Sequence, residues 1–133
     1  MIDVYAPEGA FSREKAAELL QRLAECFLKW TDAADIPIAR ENTGAFLHLL
    51  SPPNVTAGGR PSAAVRVDVR VPEVVLSTIE RRRGFIAEVT GLLGALSDGV
   101  ADGPRAWVTI SNTADGGWGI GGRAMTNAEL DEI

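Results

Sequence analysis

One stretch of the sequence occurs twice, and this repeat constrains the fold more than any other feature. The chain reads IDVYAPE at residues 2–8 and VDVRVPE at residues 67–73. In both copies apolar residues alternate with polar or aromatic ones, which is the two-residue period of a strand with one buried face. Proline then ends each strand. The sequence therefore predicts two equivalent β-strands in the two halves of a 133-residue chain.

A helical period follows each of these strands. Ser12 is the predicted N-cap of the first helix, and Ser77 and Glu80 have the spacing of a capping box for the second. Gly99 is expected to provide a left-handed residue after the second helix ends. Apolar residues three and four apart predict the buried stripes. In the first helix these are Ala16, Leu19, Leu20, Leu23, Phe27 and Trp30; in the second they are Ile79, Ile86, Val89, Leu93 and Leu96.

Each half closes with a short apolar strand and a Gly-Gly-Arg turn. The strands contain AFL at 45–47 and AWV at 106–108, and the turns lie at 58–60 and 121–123. A helix that connects two strands favours parallel pairing between them. The predicted fold is therefore α/β (α+β), with duplicated βαβ units that form a four-stranded mixed sheet with two helices on one face.

The chain has the length of one domain, residues 1–133, with repeat units at about 1–62 and 63–133. One face of the sheet would carry mixed polar and aromatic side chains, such as Tyr5 and His48, and is suited to covering by other subunits. The final stretch, TNAELDEI, is expected to form one helical turn after a Thr126 cap, or to fray.

Composition excludes several classes of function. The net charge of −5 gives no reason to expect nucleic acid or an anionic membrane as a partner. One cysteine and one histidine cannot build a typical metal site, and no cofactor is expected. A GxGxxG match at residues 117–122 lies too close to the chain end for a dinucleotide fold. We expect a cytoplasmic protein, because neither a leader nor a membrane-spanning run is recognisable.

The duplicated βαβ plan, the strand at the first residues, and Trp118-Gly119 followed by Gly-Gly-Arg resemble the tautomerase superfamily. The resemblance is strongest to its long-chain group, typified by cis-3-chloroacrylic acid dehalogenase and malonate semialdehyde decarboxylase; macrophage migration inhibitory factor is a more distant relative. It implies a homotrimer whose active sites form around the N-terminal residue where subunits meet. It also implies a catalytic N-terminal proline and arginines that bind a substrate carboxylate. Here the chain departs from the pattern, because it begins Met-Ile and its first proline is Pro7.

The resemblance implies a pocket for a small carboxylate formed by Met1, Ile2, Arg60 and Trp118, with Arg123 as a further candidate. The α-amine of Met1 would act as the catalytic base in place of proline, since a terminal amine has an ordinary pKa near 8 that burial lowers towards neutrality. Arg60 would hold the carboxylate. For both Arg60 and Arg123 the alternatives are a solvated turn arginine or a salt bridge with Asp115. For Trp118 the alternative is a subunit contact.

Other reactive side chains have structural explanations. Arg66 and Arg70 lie beside Asp68 on the predicted strand, where charge pairing accounts for them without a substrate. His48 has no nucleophile or ligand partner at an informative spacing and is expected to be a hydrogen-bonded sheet residue. Cys26 is expected to pack against the core.

Two functional hypotheses follow. In the first, the protein binds a small keto, enol or unsaturated carboxylate and has weak tautomerase or hydratase activity that uses its N-terminal amine. In the second, it is a catalytically inactive relative with a ligand-binding or structural role in a trimer, including a mixed trimer whose other members carry the proline. The sequence leaves the question of enzyme activity open.

Overall fold

The computed structural model describes all 133 residues. It contains eight strands, four α-helices and two short 3₁₀ helices, at Pro52–Asn54 and Gly103–Arg105. In chain order the elements are β1 (Ile2–Pro7), α1 (Arg13–Trp30), α2 (Pro37–Glu41), β2 (Ala45–Leu50), β3 (Thr56–Ala57), β4 (Arg60–Pro61), β5 (Val65–Pro72), α3 (Ile79–Leu96), β6 (Ala106–Thr113), β7 (Trp118–Ile120), β8 (Arg123–Met125) and α4 (Asn127–Asp131).

The predicted four-stranded mixed sheet is confirmed, with strand order β2-β1-β5-β6. Strands β1 and β2 pair in parallel, as do β5 and β6, which is the pairing expected within each βαβ unit. The two units join through antiparallel pairing of β1 with β5, and Asp3 lies opposite Asp68. These aspartates occupy equivalent positions of the repeat, so an approximate two-fold axis passes between them and relates the two halves.

Both long helices pack on one face of this sheet. The side chain of Ser12 caps α1 as predicted, accepting a 3.2 Å hydrogen bond from the Lys15 amide. Phe27 of α1 meets Phe85 of α3 edge-to-face, with ring centroids 6.1 Å apart. The buried core combines apolar side chains of both helices with the inward-facing residues of β1 and β5. Cys26 lies in this core, which confirms its predicted packing role.

The start of α3 differs from the prediction. Thr78, rather than Ser77, is the N-cap and accepts a 3.2 Å hydrogen bond from the Arg81 amide. Because the cap lies one residue later, Ile79 is the first helical residue and is exposed, so its predicted burial is wrong. Phe85 takes its place in the stripe with Val89, Leu93 and Leu96, while Ile86 is half-buried. Gly99 has the predicted positive φ, at 82°.

Three smaller features complete the chain. The segment at 37–41, for which the sequence pattern predicted no helix, forms the short helix α2, in which Pro37 takes the first position. Strands β3 and β4 form a hairpin, as do β7 and β8. Thr126 caps α4 through a capping box with Glu129, which confirms the helical turn expected there. None of the helices combines the length and hydrophobicity needed to cross a membrane.

Candidate functional site

The first residue of the chain is fixed to the middle of the sheet by its backbone. The α-amine of Met1 donates a 2.9 Å hydrogen bond to the carbonyl oxygen of Arg70, and the Arg70 amide donates a 2.9 Å bond to the Met1 carbonyl. Such doubly bonded partners on antiparallel strands have Cα atoms roughly 5.5 Å apart. The amine therefore lies beside Arg70 at the junction of the two βαβ units.

The surroundings of this amine favour its neutral form. Its pKa falls from 8.0 to about 6, chiefly because burial disfavours the charged ammonium. The Asp3 carboxylate opposes this effect, and the Arg70 guanidinium adds to it. At pH 7 about nine-tenths of such an amine is unprotonated, so its lone pair is available to accept a proton.

The two arginines of β5 have different environments. Arg66 forms an ion pair with Asp68 at 3.2 Å, and its guanidinium carbon lies 4.4 Å from the centre of the Tyr5 ring. The charge pairing predicted for Arg66 is thus present. Arg70 is exposed and its guanidinium has no side-chain hydrogen bond or ion pair in the structure. It leaves a free positive charge close to the amine, where a carboxylate could bind.

A cavity of about 250 Å³ opens beside Met1. Its walls come from the end of α1, helix α2, the end of β5, strand β7 and helix α4. Twelve of the 17 lining residues are hydrophobic, among them Phe27, Ile36, Val75, Trp118 and Ile120. The arrangement is a largely apolar recess, and Met1, which carries the basic amine, is one of the residues that line it.

The structure brings together only part of the predicted site. Met1 and Trp118 line the same cavity. Ile2 is fully buried in the core and has no surface for a ligand. Arg60 begins β4, and the next residue, Pro61, lines a groove with Pro7 at the opposite end of β1. Since a six-residue strand is roughly 17–20 Å long, Arg60 and the amine of one subunit lie far apart.

Arg123 lies at the start of β8, outside the cavity, and forms an ion pair with Glu129. The sequence-based alternative of a pair with Asp115 is wrong, because that carboxylate instead accepts a 2.7 Å hydrogen bond from the Asn127 amide. The Arg123–Glu129 pair joins the second Gly-Gly-Arg turn to α4, one wall of the cavity.

The other reactive side chains lie elsewhere. His48 is bonded through Nε2 to Asp3 at 2.8 Å and stacks on Tyr5 with ring centroids 4.5 Å apart, which confirms its predicted role in the sheet. Burial and neighbouring Glu88 raise the pKa of the Cys26 thiol to about 12, so this sulfur is a poor nucleophile. The structure brings no three His, Cys, Asp or Glu residues together as metal ligands.

Reasoning from sequence missed Arg70 as a site residue. In the sequence of its own strand, Arg70 is one of several charged residues, and charge pairing accounted for it. The position of Arg70 opposite Met1 depends on the register between β1 and β5. The repeat held the necessary information: antiparallel pairing of equivalent strands about Asp3 and Asp68 places Met1 opposite Arg70.

Comparison with solved structures finds the same architecture. A native fused 4-OT superimposes with a TM-score of 0.77 at 23% identity, covering 98% of both chains. N1, of the cis-3-chloroacrylic acid dehalogenase (cis-CaaD) family, gives 0.80 at 14% identity over 98% of this chain and 87% of its own. FG41 malonate semialdehyde decarboxylase, inhibited by 3-bromopropiolate, gives 0.72 at 18% identity over 100% of this chain and 97% of its own.

The chain has the tautomerase fold. The matches span nearly its whole length, so the fold includes both βαβ units and the small hairpins. Other fused 4-OT structures with the tautomerase fold are described as trimers, two asymmetric and one symmetric. No protein-family model and no curated protein sequence matches the chain.

Proposed function

We propose that the protein is a cytoplasmic homotrimer that binds a small keto, enol or unsaturated carboxylate and acts on it as a slow tautomerase or hydratase. The observation that supports this most strongly is the Met1 amine, which has a pKa of about 6 and belongs to a residue that lines a largely apolar cavity. A base with a pKa near the working pH combines a useful neutral fraction with useful basicity.

In the proposed tautomerisation, the amine accepts the proton of the enol oxygen, and the resulting ammonium donates a proton to the adjacent carbon as the carbonyl forms. The reaction is an isomerisation, so no other reactant is needed. The hydrogen bond from the amine to the Arg70 carbonyl limits rotation about the Cα–N bond. It replaces part of the geometric constraint that a proline ring would provide.

Two arginines are candidates for binding the substrate carboxylate. Arg70 is the nearer, because its free guanidinium belongs to the residue that pairs with Met1. Arg60 lies too far from the amine of its own subunit, so in this proposal it reaches the site from a neighbouring subunit of the trimer. The fused 4-OT trimers support such an assembly, as does the sheet face that no helix of the chain covers.

The test is ultraviolet measurement of ketonisation, using phenylenolpyruvate and 2-hydroxymuconate as substrates. We expect a rate above that of buffer with at least one of them. Arg70→Ala and Arg60→Ala should each lower kcat/KM by roughly tenfold or more, because a hydrogen bond to a charged group contributes about 1.5–3 kcal/mol. Arg83→Ala is the control, since Arg83 is exposed on α3 and away from the cavity.

A second control moves the amine itself. A version of the protein with two extra residues before Met1 should lose the rate, while intact mass should show that the active protein retains an unblocked Met1. If neither enol reacts faster than in buffer, the catalytic proposal is wrong for these substrates. The non-catalytic role in ligand binding or trimer structure then becomes the better account.

A further inference from the structure

The chemical character of the cavity beside Met1 distinguishes between kinds of carboxylate ligand. Asp131 provides the single charged side chain among its lining residues, and no Lys, Arg or His lines it. A carboxylate placed inside would therefore meet a negative charge and no positive side chain. A ligand with one carboxylate can leave that group outside, near Arg70, whereas a dicarboxylate must also accommodate its second charge.

The uncharged polar side chains of the cavity do not compensate for this. The Thr31 hydroxyl donates to the Phe27 carbonyl at 2.9 Å, and the Thr43 hydroxyl donates to the Ala39 carbonyl at 2.7 Å. The Asn42 side-chain amide donates to the Ile38 carbonyl at 2.8 Å. The two hydroxyl donors are therefore bound to the protein backbone, and Asn42 keeps one of its two amide hydrogens, so these three side chains offer a ligand anion at most one free N–H.

Several large hydrophobic residues that line the cavity are exposed to solvent. Of the eight large hydrophobic residues with the greatest exposure in the chain, four line this cavity: Met1, Ile38, Val74 and Ile133. Such clustering marks a surface that something apolar covers. The volume of about 250 Å³ is adequate for a six-membered aromatic ring with a short linker, since an apolar cavity of about 150 Å³ already accepts benzene.

We infer that the ligand of this site is a monocarboxylate with an aromatic ring, in which the ring enters the cavity and the carboxylate remains outside at Arg70. The inference rests on the proposed function for the position of the reacting carbon at the amine. It names a substrate class, the arylated 2-keto or enol acids, and excludes the dicarboxylates as preferred ligands.

Equilibrium binding tests this independently of catalysis. Isothermal titration calorimetry would compare 3-phenylpropanoate with adipate, neither of which can tautomerise as an enol. We expect 3-phenylpropanoate to bind at least tenfold more tightly. Equal affinity, tighter binding of adipate, or no binding of either ligand would overturn the inference.

Two variants locate the ring. Ala39→Leu on α2 adds three carbon atoms to the cavity wall and should weaken 3-phenylpropanoate binding by tenfold or more, while Ala17→Leu on the exposed side of α1 should not. Asp131→Asn removes the repelling charge and should strengthen adipate binding several-fold with little change for 3-phenylpropanoate. Unchanged 3-phenylpropanoate affinity in Ala39→Leu would contradict the assigned ring position, and unchanged adipate affinity in Asp131→Asn would contradict the role assigned to its charge.

Ketonisation rates separate this inference from the proposed function. If both hold, phenylenolpyruvate reacts faster than 2-hydroxymuconate, and Ala39→Leu lowers its kcat/KM through KM. If no enol reacts but 3-phenylpropanoate still binds selectively in the cavity, the catalytic proposal fails and the ligand assignment stands. If 2-hydroxymuconate is the better substrate, the site is catalytic and the ligand assignment is wrong.

Discussion

The α-amine of Met1 combines two properties at the scale of a single residue. Burial lowers its pKa to about 6, and a hydrogen bond to the Arg70 carbonyl fixes its direction. The same residue as a whole is 47% exposed, and it lines the cavity. Because the amine is sheltered and the mouth of the cavity is open, a ligand can approach without unfolding the strand.

Two glycines of α3 allow a matched test of the core. A Cβ at Gly84 would overlap the Trp30 ring of α1, whereas a Cβ at Gly91 meets nothing within 4 Å. Gly84→Ala should therefore lower the free energy of unfolding by about 1–3 kcal/mol through overpacking. Gly91→Ala should raise it by up to about 1 kcal/mol, because alanine is the better helix former.

Urea unfolding followed by circular dichroism measures both variants. Opposite shifts of the two midpoints are the expected result. A Gly84→Ala protein as stable as the Gly91→Ala protein would contradict the close approach of α1 and α3 at Trp30.

Arg70 shows how far the candidate site could be predicted from sequence. Met1 and Trp118 were found by resemblance to a family, and both line the cavity. Arg60 was favoured by the same resemblance, because an arginine after the first hairpin binds the substrate carboxylate in that family. Neither this resemblance nor the Gly-Gly-Arg pattern shows which end of the sheet the turn occupies in this chain. The importance of Arg70 comes from strand register, which is a tertiary property.

At the scale of elements, strong periodicity made the long helices and the four sheet strands predictable. Helix α2 was missed because five residues are too few to show a helical period, and the Asp-Ile-Pro sequence at its start is equally typical of a turn. The start of α3 was misplaced by one residue because Ser77 and Thr78 are both good caps. That shift also changed which apolar residue is exposed.

Helix α4 supplies a testable prediction at this scale. Its capping box joins the Thr126 hydroxyl to the Glu129 amide, and the Glu129 carboxylate to the Thr126 amide. Thr126→Ala should destabilise this helix by about 1 kcal/mol. Because α4 contributes Leu130 and Asp131 to the cavity, the wall on that side should open more often.

Hydrogen exchange of the amides in residues 127–131 measures that opening, and we expect about fivefold faster exchange in Thr126→Ala. Thr56→Ala in the β3–β4 hairpin is a suitable control, because it removes a hydroxyl with no hydrogen bond in the structure. Unchanged exchange in Thr126→Ala would show that the capping box does not hold α4 in place.

For the whole molecule, the uncovered face of the sheet is the main feature that remains without a partner. It carries the exposed Phe46 and Trp107 beside the stacked Tyr5 and His48.

We expect a homotrimer in solution, with a mass about three times the 14.1 kDa of the subunit. Light scattering coupled to size-exclusion chromatography measures this mass, and a monomer at micromolar concentration would contradict the proposed sharing of Arg60 between subunits.

The pseudo-two-fold arrangement explains why the site lies where it does. Pairing of the repeated strands about Asp3 and Asp68 places the start of β1 beside the end of β5, where the chain leaves the sheet towards α3. The sequence duplication thus leads directly to an N-terminal amine at an apolar edge of the molecule.

The pH dependence of kcat/KM for phenylenolpyruvate tests this account most directly. The amine must be unprotonated to act as a base, and its pKa is lowered, so activity should rise through pH 6 and level off above it. Removing the Arg70 charge in Arg70→Ala should move the midpoint of the residual activity to higher pH. An ascending midpoint near pH 8, or a profile unaffected by extending the chain before Met1, would contradict the assignment of this amine as the base.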